Sequence, residues 1–506
     1  MDQYVYEGLI ERLEAEAENS PAAFRSKVFL ISSIAYVVLF GTLLGAALLI
    51  YFGLNWAYDG HQTSYLIYIG LFALVMLPVF LAVLRMFFMR LEAPEGRPIT
   101  REEAPQLFDV LDKMRKKLKG PPIHHVLIDR RFNAAISQLP RWGLFGGHTN
   151  YLMLGLPYML GVPPKEMLAT VAHEYGHLCG EHGKLSAWVY RQRRTFAALH
   201  AQVGNAAEDN LIHGVMAKAL HRFMPYFNAY TFVLSRQNEY DADLTATNLI
   251  GAQINATGLI RDSLLGRWIH EEFWPKLLKQ ADSSVRPAFM PFGAMRTAFK
   301  ASYEQWATRE RLAAAWLEKS DMHDTHPALR NRVEATGQPS ALPEPVDITA
   351  AEALLGATAK QLIQEFDQCW WKEEKKSWES RYQYATRSKA RLRELSVQAL
   401  EALKLPDLQE LAMLKVEFDS PQTAKPVLEH LLRRAGGPFP KASYLYGRIL
   451  LGEGNEMGLD HLRTAANSDR ILVEDAAHAG YYFLLNKRGE QAAQSWWNNI
   501  MPGRSG

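Results

Sequence analysis

The chain has 506 residues, and its 56 Lys and Arg nearly balance its 54 Asp and Glu, for a formal net charge of +2. This balance excludes a nucleic-acid coat protein and a polyanionic tail, and 48% hydrophobic residues exclude wholesale disorder. The two cysteines, Cys179 and Cys369, cannot form a disulfide framework, which favours a reducing compartment.

The N-terminal part of the chain carries two long uncharged runs, over 28–54 and 62–84. Each is long enough to cross a bilayer, so the sequence predicts a two-helix transmembrane hairpin over 28–89, preceded by an N-terminal segment, 1–27. A cleaved signal peptide is the alternative for the first run, but its apolar core is too long and the preceding segment is acidic. Lys and Arg flank the hairpin and are missing from its loop, so both termini and the following domain are predicted to be cytoplasmic.

Residues 90–335 are predicted to form one α+β domain that is mostly α. An amphipathic helix is expected around 107–118, three short strands between 123 and 156, and helices from Pro163 onward. The strands predict a small β-sheet ahead of a helical region.

A Pro-rich stretch, 336–347, is predicted to be a linker, and 348–506 is predicted to be all helical. Small residues recur there at spacings of 35 and 33, at Ala412, Gly447 and Gly480, and each is followed 12 residues later, by Ala424, Leu459 and Ala492. This is the period of a tetratricopeptide-like helix hairpin, which would offer a docking surface to a protein partner. An ordinary helical bundle that buries the same residues stays open as the alternative.

The most informative motif is HEYGH at 173–177. On a helix, His173 and His177 lie on one face, where two imidazoles can bind one Zn²⁺, and Glu174 lies beside that face as a general base for an attacking water. The competing interpretation is a pair of core histidines satisfied by hydrogen bonds. Pro163 and Pro164 favour the zinc helix, because they supply a proline start to an apolar helical face.

A hydrolytic zinc site needs a third protein ligand, and EYDAD at 239–243 offers one. Glu239 and Asp243 are also four apart on a helix, so Glu239 is predicted to bind the metal and Asp243 to accept the free imidazole N–H of a ligand histidine. An acidic pair of this kind is by itself usually a solvated helix face.

Together, HEYGH and EYDAD resemble peptidase family M48, integral membrane metallopeptidases that include the HtpX proteases and prenyl-protein-processing relatives. Asn133 and Ala134 are similar to the family's segment on the active-site edge strand, and THPALRNRV at 325–333 is similar to the segment that closes its catalytic domain. The resemblance implies a gluzincin-type fold with one Zn²⁺ per chain. It also implies that a peptide substrate lies along the edge strand at Asn133 and Ala134 as an added β-strand.

The closing segment adds a candidate for the oxyanion donor, His326, and two arginines. Arg330 or Arg332 could serve in the same way or hold Glu239 in place. A turn histidine before a proline and two solvated arginines are the alternative.

The sequence therefore predicts a membrane-anchored zinc endopeptidase that cleaves protein or peptide substrates in membrane protein quality control or processing, with a lipid bilayer but no nucleic acid as partner. The alternative is a non-catalytic, zinc-containing membrane scaffold whose helical repeats bind protein partners.

Overall fold

The computed structural model describes residues 3–58, 67, 69–71, 73–74, 92–141, 147–179, 188–189, 192, 211–318, 320 and 324–501. The chain divides into two compact units, which are described separately below. The first comprises Met1–Pro275 with Phe289–Trp371, and the second comprises Lys276–Ala288 with Lys372–Gly506.

Helices make up most of the first unit. In chain order they are α1 Gln3–Asn19, α2 Pro21–Tyr58, α3 Pro105–Leu118, α4 Leu156–Gly161, α5 Pro164–Gly176, α6 Leu211–Ile250, α7 Ala252–Trp268, α8 Trp274–Lys279, α9 Pro291–Ala301, α10 Tyr303–Trp306, α11 Arg309–Leu317, α12 Leu329–Ala335 and α13 Ala350–Leu355. A π-helical turn, Ile269–Phe273, joins α7 to α8, whose last residues belong to the second unit.

One four-stranded sheet precedes the zinc-motif helix α5. Its strands are β1 Arg97–Ile99, β2 His125–Asp129, β3 Ala134–Pro140 and β4 His148–Gly155, in the spatial order β1-β2-β4-β3. Strand β4 is parallel to β2 and antiparallel to β3, so β3 is an edge strand. The predicted α+β class with a small sheet is confirmed. Strand β1 was not predicted, because it lies in a Pro-rich stretch, but Pro98 is tolerated on an edge strand that pairs only with β2.

The N-terminal helices enclose a small core with α6. Ile10 and Leu13 of α1 and Phe24 of α2 are buried together with Phe232 and Val233 of α6. The apolar segment of α6 around Phe232 is therefore part of the protein core.

Helix α2 continues past this core as an uncharged helix with exposed apolar side chains. Among them are Phe29, Leu30, Val37, Leu44, Leu49 and Phe52. Within the described ranges, no helix qualifies by length and apolarity as a membrane span, and most of the second predicted run, 62–84, lies outside the described residues. The two-span hairpin stays a prediction.

The predicted linker, 336–347, lies along the first unit. The Pro343 carbonyl accepts a hydrogen bond from the Tyr303 hydroxyl at 2.8 Å, and the Glu344 carbonyl accepts one from Arg261 at 2.8 Å. The two compact units divide further on, within helix α14 Thr358–Ser396.

The second unit contains three consecutive helix pairs. They are α15 Leu405–Phe418 with α16 Pro421–Arg433, α17 Pro440–Gly452 with α18 Met457–Ser468, and α19 Val473–Arg488 with α20 Glu490–Ile500. Two of the predicted small residues allow close approach within a pair: a Cβ on Gly447 would lie 2.8 Å from the Gly458 carbonyl oxygen, and one on Gly480 would overlap the Trp496 ring. The pairs are those that the spacing predicts, but the likeness to tetratricopeptide repeats is not confirmed and stays a prediction.

Candidate metal centre and active site

Helix α5 places the two motif histidines on one side of the protein. It begins at Pro164 after an extended Pro163, and its apolar side buries Met167 and Val171 in the core. His177 follows the last helical residue but keeps right-handed backbone angles, φ −62° and ψ −20°. The His173 and His177 rings are consequently neighbours, with centroids 4.9 Å apart and planes perpendicular.

A glycine in the motif lets α6 approach α5 closely. A Cβ on Gly176 would lie 3.1 Å from the Ala242 Cα, which is tighter than an ordinary contact. This approach brings Glu239, one turn earlier on α6, next to both histidines.

The three predicted ligands lie close together. His173 Nε2 lies 3.4 Å from one Glu239 carboxylate oxygen, and His177 Nε2 lies 3.5 Å from the other. Zinc bonds of about 2.0–2.2 Å in a tetrahedral arrangement separate the donor atoms by about 3.3–3.6 Å. In the described part of the chain, the buried Glu239 Oε2 has no hydrogen bond of ordinary geometry. A buried acceptor without a hydrogen bond fits the presence of a cation between the side chains of His173, His177 and Glu239.

Glu174 also belongs to this group, because its carboxylate and the two imidazoles have donor atoms within 4.8 Å of one another. Glu239 is the better candidate than Glu174 for the third ligand. One Glu174 oxygen, Oε2, already accepts a hydrogen bond from the Ile136 backbone N–H at 3.1 Å, which ties Glu174 to strand β3.

Asp243 orients the first histidine and is itself held by an arginine. Its Oδ1 lies 2.8 Å from His173 Nδ1, which leaves Nε2 free to face Glu239. Arg332 donates to both Asp243 oxygens, at 2.8 Å each. This bidentate contact fixes the carboxylate, which in turn fixes the imidazole.

The electrostatics of the group favour a bound cation. Burial raises the pKa of Glu239, but the neighbouring imidazoles outweigh burial and lower it to about 2. Burial lowers the pKa of His173, but the hydrogen bond to Asp243 and the nearby Glu239 carboxylate outweigh this and raise it to about 9. Burial and the charge of His173 lower the pKa of His177 to about 4. In the metal-free protein His173 therefore carries a proton at neutral pH where a metal ion would otherwise balance the carboxylates.

Of the predicted residues in the closing segment, the structure brings His326 to the site but not Arg330. His326 Nε2 lies 3.8 Å from Glu239 Oε2, and its Nδ1 is 2.7 Å from Asp324 Oδ1. Arg330 is exposed and pairs instead with Glu334, one turn along α12, at 2.8 Å. Arg332 lies at the site, but the carboxylate that it holds is that of Asp243 and not, as the sequence suggested for one of the two arginines, that of Glu239.

The two predicted edge-strand residues, Asn133 and Ala134, direct their backbone groups to opposite sides of strand β3. The Asn133 carbonyl accepts a hydrogen bond from the Gly155 N–H at 2.8 Å, so Asn133 faces strand β4. Ala134 and Ile136, in register with Leu154 and Leu152, present their backbone groups to the free edge, where Glu174 binds the Ile136 N–H.

Sequence reasoning missed two features around the site. Glu166 of α5 forms a buried ion pair with Arg261 of α7, with distances of 2.6 and 3.1 Å. Asp262, the next residue of α7, lines a cavity of about 180 Å³ together with His173 and Glu174. No local sequence pattern signals either feature, because both arise from the packing of α7 on α5.

Comparison with known proteins agrees with this geometry. Residues 158–339 match the model of a protein family described as Peptidase family M48. This range contains every candidate metal ligand as well as Asp243 and Arg332. No curated protein and no solved structure matches the chain. Residues 158–339 of this chain are therefore similar to the metallopeptidases of peptidase family M48.

Proposed function

We propose that the chain is a zinc-dependent endopeptidase that hydrolyses peptide bonds of protein substrates. The observation that carries the proposal is the convergence of His173 Nε2, His177 Nε2 and the Glu239 carboxylate, with the Glu174 carboxylate beside them. These three side chains would hold one Zn²⁺, which supplies Lewis-acid polarisation of the scissile carbonyl and makes an attacking water more acidic.

Glu174 acts as the general base in this proposal. Its hydrogen bond from the Ile136 N–H fixes the carboxylate and leaves Oε1 to take a proton from the attacking water. Burial raises the pKa of Glu174, so its carboxylate holds a transferred proton better than an exposed glutamate does. The same carboxyl group then protonates the leaving amine.

His326 would stabilise negative charge on the scissile oxygen. Asp324 accepts at Nδ1, which directs the other ring nitrogen, Nε2, toward the site. Held in this way, the His326 ring would stabilise an oxyanion through a hydrogen bond from Nε2–H, with the Asp324 carboxylate at Nδ1.

The free edge of β3 is the proposed binding surface for an extended substrate. Alternate residues from Ala134 onward present backbone donors and acceptors to that edge, beside Glu174. A peptide added there as a strand would have its scissile bond next to the donor set, that is, the candidate ligands His173, His177 and Glu239. The backbone of Ala134, rather than that of Asn133, makes this contact.

Glu174→Gln tests the proposal. Glutamine keeps an acceptor for the Ile136 N–H but cannot take a proton, so cleavage of casein and of a fluorogenic peptide should fall about 10²–10⁴-fold while stoichiometric zinc is retained. Glu334→Gln, at an exposed glutamate of α12, is the matched control and should keep wild-type activity. Undiminished cleavage by zinc-loaded Glu174→Gln protein, or wild-type cleavage that a chelator does not stop, refutes the proposal.

We further propose that α2 attaches the enzyme to a membrane with the peptidase domain on the cytoplasmic side, where it would process membrane proteins or remove damaged ones. The exposed apolar side chains of α2 and the Lys and Arg flanks of the uncharged runs support this proposal. Fractionation of cells that express the full chain tests it. Resistance to alkaline carbonate indicates integral insertion, release by carbonate indicates surface attachment, and absence from the membrane fraction refutes it.

A further inference from the structure

The cavity that His173 and Glu174 line also includes the space between α5 and α7. Ala169 and Thr170 line it from α5, and Gly258, Leu259 and Asp262 line it from α7. Its volume of about 180 Å³ is far above the ~10–15 Å³ that a single water needs, so a whole side chain can enter.

Small residues keep this part of the cavity open. Ala169 and Gly258 both line the cavity, and a Cβ on Gly258 would meet the Glu166 Cβ at 3.6 Å, an ordinary distance. The helices themselves would tolerate a larger residue at Gly258. Close packing of α5 on α7 therefore does not require a glycine at this position.

Asp262 is an acidic group of this cavity that lies deeper between α5 and α7 than the residues of the metal centre and has no hydrogen-bonding partner among the described residues. Asp243 is paired with Arg332 and Glu166 with Arg261, each through two hydrogen bonds. Asp262, by contrast, forms no hydrogen bond or ion pair with any residue that the structure describes. Burial, reinforced by the charges of nearby glutamates against that of Arg332, raises the pKa of Asp262 to about 7. A cationic group in the cavity would provide the missing partner.

We propose that this cavity is a substrate subsite that selects a lysine or arginine side chain adjacent to the scissile bond, with Asp262 as its acidic partner. The inference rests on the proposed peptidase function and adds the chemical class of the preferred substrate residue. A long aliphatic stem passes the small residues Ala169 and Gly258, and its charged end reaches Asp262. An apolar side chain of the same length fills the space but leaves the Asp262 carboxyl group without a partner. Peptides with such a side chain should therefore be cleaved more slowly.

Peptides that differ at one position test the subsite. A quenched-fluorescence peptide is made with Lys, Arg, Met, Gln or Glu on either side of the cleaved bond, and kcat/KM is measured with the zinc-loaded full chain. We expect Lys and Arg peptides to exceed the Met peptide about 10- to 100-fold at one of the two positions. Asp262→Asn should reduce this ratio to about one, and Asp262→Lys should shift the preference to Glu.

Gly258→Ala is the matched size control. It adds one methyl group to the cavity lining without changing the charge, so any loss of kcat/KM should be shared by Lys, Arg and Met peptides and the basic-to-Met ratio should be kept. Asp262→Asn preserves side-chain shape and breaks no hydrogen bond within the described residues, and its melting temperature checks that the domain is folded. If it does not fold, the wild-type ratio and Asp262→Lys decide the question.

The outcomes separate this inference from the proposed function. If the wild-type protein cleaves no peptide in a metal-dependent manner, the proposed function is overturned. If it cleaves peptides but has no basic preference, or a preference that Asp262→Asn leaves intact, the subsite alone is overturned. A preference for Gln that equals the preference for Lys would show that Asp262 acts as a neutral hydrogen-bonding group, which also contradicts the proposal.

Discussion

Asp243→Asn should weaken both the fold and the metal centre by predictable amounts. Burial raises the pKa of the Asp243 carboxyl, but hydrogen bonds from Arg332 and His173 outweigh it and lower the pKa from 3.8 to about 2. A shift of nearly two units corresponds to about 2.5 kcal/mol of folding free energy at neutral pH. Because the folded-state pKa is depressed, this stabilisation is fully present above about pH 4 and is lost as pH falls toward 2.

Asparagine in this position cannot accept all three hydrogen bonds that the carboxylate accepts. His173 loses its charged acceptor at Nδ1, so zinc affinity should fall about 10–100-fold. The measurements are competition titration against a chromophoric chelator for zinc, and urea denaturation of the metal-free protein for stability.

Asp241→Asn is the matched control for this experiment. Asp241 lies two residues earlier on α6 and pairs with Arg25 at 2.7 Å, but 45% of its side chain is exposed. Its substitution should leave zinc affinity unchanged and cost less than about 1 kcal/mol of stability. Equal zinc affinity in Asp243→Asn and Asp241→Asn would refute the assignment of Asp243 as the group that orients His173.

Three further predictions concern the same domain. Gly176→Ala should reduce zinc content after dialysis, because the added Cβ would lie 3.1 Å from the backbone of α6 and separate the ligands, whereas Gly8→Ala, which meets no atom within 4 Å, should not. Glu166→Gln should lower the free energy of unfolding by about 3–5 kcal/mol in urea titration, because it leaves Arg261 buried without its carboxylate partner; a loss below 1 kcal/mol would contradict this. Zinc affinity should rise about tenfold per pH unit up to about pH 9, since the metal must displace the proton of His173, and calorimetry in buffers of different ionisation enthalpy should detect about one proton released at pH 7.

The parts of the site that the sequence predicts are those that local periodicity determines. His173 and His177 are four apart on a helix, as are Glu239 and Asp243, so each pair shares a face whatever the rest of the fold does. The three strands before α5 follow from short apolar runs between turn residues.

The remaining features depend on tertiary packing. Arg330 and Arg332 are two apart on α12, about 200° around the helix, and only the docking of that helix decides which of them faces Asp243. Asp262 is one acidic residue in an otherwise ordinary helical sequence, and its importance comes from the cavity that α5 and α7 form together. No spacing rule carries that information.

The accessibility of the donor set argues against the scaffold alternative. The side chains of His173 and Glu239 are each 8% exposed, whereas those of His177 and His326 are 26% and 58% exposed. The group is therefore closed toward α6 and open toward His326, while a structural zinc site is closed by four protein ligands.

Glu174 adds a second argument against a purely structural site. A carboxylate withdrawn from water beside three other ionisable groups destabilises the fold unless it is compensated, and its raised pKa reflects that cost. A purely structural zinc site would not need the Glu174 carboxylate, because His173, His177 and Glu239 already supply donor atoms. A proton acceptor fixed between an open metal site and a free strand edge is what hydrolysis of an extended peptide requires.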